Sequence, residues 1–285
     1  MSVKCDVCGD EFDTERAMKV HKSQKHPEDR REEVGNKNTG IDGLDSLMSE
    51  GIPEGSSVLV EGGPGSGKTI MCLQIAYNAV ERGEKALYMS FEEPIHRLVD
   101  HMHSFGWDVD QYLDEELRME RYNALDIARS VEALLSEAKR ELLIDVKPML
   151  FPEDFDPDVV FIDSLTSIAS AFSGEKSRFR IYMEQLFKYL ENEEITSYLI
   201  REVPSPAHIG SRGGEGQGQA VSFLSDGIIA IYNAIHPSGK RDRGIEIIKM
   251  RGENFEKGIH EMYITGESGI EVNSEERVPD EYTLT

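Results

Sequence analysis

Long apolar runs are missing from this chain. Its strongest hydrophobic stretches are short, as in Asp158-VVFI-Asp163, far below the roughly 18 residues that a membrane-crossing helix needs. Residues 1–33 are charged and carry no apolar core of the kind a secretory leader requires. Cysteine is scarce, with 3 in 285 residues. That number excludes a disulfide scaffold and fits a reducing compartment, so a cytoplasmic protein without membrane attachment is expected. Basic charge is also in short supply: 31 Lys and Arg face 54 Asp and Glu, for a net charge of −23. Residues 1–30 hold six basic and seven acidic side chains, so nearly all of the deficit lies beyond them. A surface of this sign repels nucleic acid and stays in solution. Two explanations stand: a halophilic host whose internal salt screens like charges, or a basic protein partner.

Apolar residues make up 39% of the chain, enough for a core. From residue 57 onward strand and helix patterns alternate, which signals a parallel sheet covered by helices. Strands are expected at Ser57–Glu61, Ala86–Phe91, Arg118–Tyr122, Val159–Ile162 and Ile195–Val203. Helices are expected at Lys68–Glu81, Pro94–Phe105, Ala128–Leu143 and Ser177–Glu191. Pro204–Gln219 carries five glycines and two prolines and reads as a mobile loop. Runs at Gly227–Tyr232, Gly244–Met250 and Ile259–Thr265 read as an antiparallel extension of the sheet. Residues 273–285 read as a frayed acidic tail. No repeat of domain size is present. Cys72 stands alone in an apolar helical stretch and reads as a buried, inert thiol.

One segment carries chemistry outright. Gly62-Gly63-Pro64-Gly65-Ser66-Gly67-Lys68-Thr69 fits the phosphate-binding pattern G-x-x-x-x-G-K-[ST]. Glycines let backbone N–H groups converge on phosphate oxygens, and the following helix aims its positive end at the anion. Ile70 completes the expected cofactor-binding set. Lys68 is expected on the β and γ phosphates and Thr69 on Mg²⁺, with ATP as the nucleotide. A carboxylate at the end of a neighbouring strand must complete the Mg²⁺ site, and Asp163 follows an apolar strand; an Asp there also serves as a helix N-cap. Glu92 and Glu93, just after another strand, are candidates to polarise water toward the γ-phosphate. Acidic residues before Pro94 equally complement a helix dipole.

In this setting the chain resembles the KaiC-like ATPases, single-domain relatives of the RecA and RadA recombinases. Thr39-Gly40-Ile41-Asp42-Gly43-Leu44-Asp45 and Gly51-Ile52-Pro53-Glu54-Gly55-Ser56 look like that family's approach to the phosphate loop. Ser90-Phe91-Glu92-Glu93 looks like its catalytic glutamates, and Ile248-Lys249-Met250-Arg251-Gly252 like its Lys-x-Arg element. The resemblance implies an α/β fold with a RecA-type P-loop core, a mostly parallel central sheet and an antiparallel C-terminal extension. It also implies ATP-dependent homo-oligomeric rings, usually hexamers, with slow hydrolysis. Lys249 and Arg251 would then reach a neighbour's γ-phosphate, where cations stabilise transition-state charge; both also fit as ordinary exposed strand ends. Glu202 matches a position that senses the γ-phosphate. Circadian KaiC proteins carry two ATPase copies and this chain carries one, so no clock function follows. The 204–219 segment sits where RecA-type proteins carry a channel-facing loop, yet it offers only His208 and Arg212 against Glu215.

At the front, Cys5, Cys8, His21 and His26 follow C-x₂-C-x₁₂-H-x₄-H, a ββα zinc-finger spacing with tetrahedral Zn²⁺. Phe12 and Met18 fall where such a finger's small core wants apolar groups. The positions that read bases in a finger helix fall near Thr14, Ala17 and Val20, none able to make bidentate base contacts. Docking of a protein partner, or packing on the finger's own ring, is therefore the favoured role. A recombinase-like, DNA-dependent ATPase of repair or recombination stays open as the alternative, since a ring presents several fingers together. The expected boundaries are 1–26 for the finger, 27–38 for a linker, 39–272 for the ATPase domain and 273–285 for the tail.

Overall fold

The computed structural model describes residues 3–5, 7–12, 17, 18, 21, 25, 35–137, 151–172, 175–203, 217–266, 268–278, 283 and 284. The expectations for Thr14, Val20, His26, residues 27–34, the helix end at 138–143 and the glycine-rich segment at 204–216 lie outside that set.

In chain order the elements begin with β1 (Val3–Lys4), β2 (Glu11–Phe12), β3 (Asn36–Lys37), α1 (Asp42–Asp45), β4 (Ile52–Pro53), β5 (Ser57–Gly62) and α2 (Lys68–Glu81). Next come β6 (Ala86–Ser90), α3 (Ile95–Ser104), β7 (Leu117–Arg121), α4 (Ala124–Glu137), β8 (Val159–Asp163), α5 (Leu165–Ala171) and α6 (Lys176–Asn192). The chain continues with β9 (Thr196–Glu202), α7 (Gln217–Leu224), β10 (Gly227–Ile235), β11 (Arg241–Met250), β12 (His260–Thr265), β13 (Gly269–Arg277) and β14 (Thr283–Leu284).

A 10-stranded sheet dominates, in the order β13-β12-β11-β10-β5-β9-β8-β6-β7, with β14 pairing β10. From β10 to β7 every neighbouring pair is parallel. The central strands read as unbroken apolar runs because both faces are covered, and β5, β6 and β8 are buried throughout. On one face α2 and α3 bury Met71, Leu73, Leu98 and Met102 against Val60, Tyr88 and Phe161. On the other, α4, α5 and α6 bury Val131, Ile168, Tyr182 and Leu186 against Leu87, Val160 and Leu199.

The fold departs from the sequence expectation in three places. Gly227–Ile235 joins β5 in parallel, so the antiparallel extension begins one strand later, at β11. Helix α7 occupies Gln217–Leu224, the end of the segment expected to be a loop and the residues after it. Strand β13 runs through Asn273–Arg277, past the expected domain end at 272, and β14 pairs with Ala234 and Ile235. Its acidic residues hid it, but Ile270 and Val272 point inward.

Strand β13 lies over the helices as well as beside β12. Gly43 in α1 approaches so closely that a Cβ there would sit 1.8 Å from the Val272 carbonyl oxygen. Gln74, on α2, accepts from the Ile270 N–H at 2.6 Å and donates to the carbonyls of Ser268 and Ile270 at 3.3 and 3.2 Å. Gln74→Ala leaves these buried backbone groups without their partner. It should cost about 1–3 kcal/mol in a denaturant titration at fixed salt; an unchanged midpoint would show that the clamp contributes nothing.

Candidate nucleotide site

The parallel strands deliver their carboxyl ends to one edge of the sheet. Strand β5 ends at Gly62 and the loop turns at Gly65 (φ 70) and Gly67 (φ 111), backbone conformations that side chains disfavour. Pro64 and Gly65 form the exposed tip, whereas Gly62, Gly63 and Ser66 are buried. Gly67 caps α2 without a side chain, so the first-turn amides from Lys68, Thr69 and Ile70 face the loop unopposed, as an anion site requires. Lys68 Nζ donates to the Gly63 carbonyl at 2.7 Å. Burial lowers the Lys68 pKa, and the fields of Glu202, Asp163 and Glu92 oppose that shift. This amine is thus set among three carboxylates at the mouth of the loop.

Asp163, at the end of β8, accepts from Thr69 Oγ1 at 3.0 Å and from Tyr88 OH at 2.8 Å, both on Oδ2. A hydroxyl and a carboxylate side by side are hard oxygen donors of the type Mg²⁺ takes. Tyr88 was not foreseen. Its signal is a tyrosine inside a fully buried strand, which needs a partner for its hydroxyl. Burial pushes Asp163 up to about 6, with the Tyr88 and Thr69 hydrogen bonds pulling the other way.

Glu92 is fixed by α5. Its Oε1 accepts from Ser164 Oγ at 2.5 Å and Ser167 Oγ at 2.7 Å, next to Asp163 in the chain. Glu93 turns elsewhere: its Oε2 lies 3.4 Å from His101 Nε2 on α3, and its backbone carbonyl accepts from Ser90 Oγ at 2.6 Å. The two glutamates adjacent in sequence are therefore not equivalent, and Glu92 is the one tied to the Asp163–Ser164 junction. Glu202 pairs in register with Gly62, its N–H donates to Thr166 Oγ1 at 2.8 Å, and its charge is the largest one opposing the Lys68 shift. One residue below, buried Glu61 and Arg201 pair across the same two strands, and Arg201 Nη2 also reaches Ser222 Oγ of α7 at 2.9 Å.

Lys249 and Arg251 lie elsewhere. Gly227 pairs with Val58 on one side and Met250 on the other, so β11 ends beside the amino end of β5. Gly62 is four residues further along, about 13 Å at the usual rise of a strand. Lys249 Nζ donates to the carbonyls of Ser222, at 3.2 Å, and Ser225. Arg251 donates to Asp226 Oδ1 at 3.1 Å and to the Phe223 carbonyl at 2.9 Å. Burial lowers the Lys249 pKa, and Arg251 adds to that shift. Within one copy these cations do not meet the phosphate loop. Cys72 is buried in α2, and burial raises its thiol pKa well above the ordinary value, as an inert core residue requires.

At the N-terminus β1 pairs with β2, the Cys5 N–H donates to the Asp10 carbonyl and the Gly9 N–H to the Cys5 carbonyl. The ligand atoms of Cys5, Cys8 and His21 all lie within 4.8 Å of one another, and Phe12 packs on His21 with ring centroids 4.6 Å apart. Two thiols and an imidazole so placed fit three corners of a tetrahedral site.

The raised Asp163 has a sign that can be tested. A carboxyl whose pKa rises from 3.8 to about 6 on folding favours the protonated form. Its contribution is therefore present at low pH and is lost as pH rises through about 6. Without Mg²⁺, Asp163→Asn should stabilise the fold by up to about 3 kcal/mol at pH 8, and by less at pH 5. Thermal melts at the two pH values check this; an equal gain at both would refute the assignment.

Comparison with known proteins identifies relatives of the whole domain. A family described as KaiC ATPase matches residues 37–277. A UPF0273 protein of Pyrococcus furiosus is 30% identical over 80% of this chain and 90% of its own length. The UPF0273 protein of Pyrococcus horikoshii is 31% identical with the same coverage. A circadian clock oscillator protein KaiC from Picosynechococcus is 26% identical over 82% of this chain but only 43% of its own length. The crystal structure of a KaiC-like protein from Pyrococcus horikoshii superposes with a TM-score of 0.65 at 27% identity, covering 85% of this chain and all of that one. Fold, site and relatives together place this chain in the KaiC ATPase family.

Proposed function

We propose that the chain is a Mg²⁺-dependent ATPase that works as a regulatory switch in a homo-oligomeric ring, with its nucleotide held between adjoining copies. The observation that carries this reading is the split of the machinery over one subunit. The phosphate loop, Asp163 and Glu92 meet at the carboxyl edge of the sheet, whereas Lys249 and Arg251 sit at the amino end of β5. A head-to-tail assembly brings the two halves to one interface.

In this arrangement the loop amides and Lys68 hold the β and γ phosphates. Thr69 and Asp163 hold Mg²⁺, which supplies charge neutralisation at the phosphates. Glu92, held by two serine hydroxyls, orients the attacking water. Lys249 and Arg251 leave the α7 carbonyls and Asp226 to meet charge that develops on the neighbour's γ-phosphoryl group. Glu202 reads the presence of that group beside Lys68. The KaiC family match and the UPF0273 relatives support the switch over a recombinase that acts on DNA.

Mixing tests the split. Lys68→Ala and Arg251→Ala should each reduce turnover by about 10³-fold or more alone. Equimolar mixed rings should regain a measurable fraction, because some interfaces then carry an intact loop and an intact arginine. Inactive mixed rings of confirmed composition would reject a shared site.

The finger binds Zn²⁺ through Cys5, Cys8, His21 and His26 and docks a protein partner. Its core is too small to fold without metal, so binding supplies most of its stability. Elemental analysis should find one Zn²⁺ per chain, absent in the Cys5→Ser, Cys8→Ser double variant, while the melt of the ATPase domain is unchanged. Stoichiometric zinc in that double variant would place the metal elsewhere.

A further inference from the structure

Asp163 brings two carboxylate oxygens to the nucleotide site, and they are not alike. Oδ2 accepts from Thr69 Oγ1 at 3.0 Å and from Tyr88 OH at 2.8 Å. A carboxylate oxygen has about two lone-pair sites, so these two donors fill it. No described residue donates to Oδ1. Thr69 uses its single hydroxyl proton on Oδ2, which leaves its own lone pairs for a cation. Tyr88 is held in place by the sheet, in register with Phe161 of β8 and Met119 of β7. Its ring stacks on Phe161 with centroids 5.7 Å apart, and Phe161 stacks on Tyr198 of β9 at 5.3 Å. All three rings are buried, Tyr88 and Phe161 completely. Swinging the phenol away from Oδ2 would leave a buried hydroxyl unpaired, so it is a preorganised donor.

We infer that Tyr88 makes this site choose Mg²⁺ over Ca²⁺, by closing Asp163 Oδ2 to the cation. This rests on the Mg²⁺-dependent nucleotide reading and names what sets the identity of its ion. Ca²⁺ takes about six to eight oxygens at roughly 2.3–2.6 Å and readily accepts both oxygens of one carboxylate. Mg²⁺ takes about six at roughly 2.0–2.1 Å, near-octahedral, and keeps several waters among them. An ion that gripped both oxygens of Asp163 would have to expel the Thr69 or the Tyr88 hydroxyl from Oδ2. Thr69 sits on the exposed side of that carboxylate, at the first turn of α2, and can turn its hydroxyl toward an ion. The Tyr88 phenol cannot follow, because its ring is locked in the stack. It is therefore the bar to two-oxygen binding, and the smaller ion, served by Oδ1 alone, is preferred. Tyr88 is a positioning residue in this scheme, acting on the ion through Asp163.

The test is calorimetric titration of the full chain with a non-hydrolysable ATP analogue at pH 8, in Mg²⁺, in Ca²⁺ and in EDTA. Wild type should bind the analogue about tenfold or more tightly in Mg²⁺ than in Ca²⁺. Tyr88→Phe keeps the ring and its stack and opens one lone pair on Oδ2. Its Mg²⁺-to-Ca²⁺ affinity ratio should fall by about tenfold, the scale on which a hydrogen bond to a metal ligand acts. Its binding in EDTA should match wild type. Damage to packing alone would weaken binding in all three buffers together and leave the ratio intact. Tyr182→Phe is the control: Tyr182 is equally buried on the other face of the sheet, and its hydroxyl has no partner among the described residues. That variant should keep the wild-type ratio. A wild type with no preference for Mg²⁺, or a folded Tyr88→Phe with the wild-type ratio, overturns the role of Tyr88 alone. Wild-type binding that is equal in EDTA, Mg²⁺ and Ca²⁺ overturns the metal site as well.

Discussion

The parallel run of strands β5-β9-β8-β6 is the constraint on which everything else depends. Parallel strands must all be entered from one edge and left at the other, so each crossover helix begins at the same side. That side receives Gly62 paired with Glu202, and Asp163 paired with Ser90, as strand ends. The backbone hydrogen bonds of the sheet bring these strand ends, and the loop and helix that follow β5, to one edge. The side chains then add local detail. Thr69 and Tyr88 hold Asp163, and two hydroxyls at the start of α5 hold Glu92.

The buried Glu61–Arg201 pair sits directly beneath this edge. Buried ion pairs seldom add net stability, since desolvation offsets the attraction. This one joins β5, β9 and, through Ser222, α7 at one point. The carbonyls of α7 and of the turn after it hold Lys249 and Arg251. Strands β5 and β9, helix α7 and the two basic residues are thereby joined through a short series of hydrogen-bonded groups.

Much of this was legible in the chain itself. The phosphate loop announces itself because glycine and lysine spacing follows from the chemistry of holding phosphate. Helix α2 matches its expected span residue for residue, since apolar side chains recur through it and glycine precedes it. Asp163 was readable because it ends a fully apolar strand. What stayed hidden depended on tertiary context. The partners of Glu92 come from Ser164 and Ser167, about 70 residues away, and serine carries no periodic signal. The inequality of Glu92 and Glu93 arises from where α3 and α5 sit, which adjacency in sequence does not encode. Strand β13 was obscured because its exposed Glu271, Glu275 and Glu276 look like a tail, whereas Ile270 and Val272 are its only buried large apolar residues.

That last strand has a further consequence. The outermost strand of a sheet is ordinarily a template on which another chain can lay a strand of its own. Here α1 crowds the Val272 carbonyl at Gly43, and Gln74 occupies the Ile270 amide and carbonyl. At Ile270 and Val272 the outer edge of the strand is thereby covered inside its own molecule. At this edge a second copy therefore finds no free amide at Ile270 on which to lay a strand, so strand addition there is separated from specific self-association.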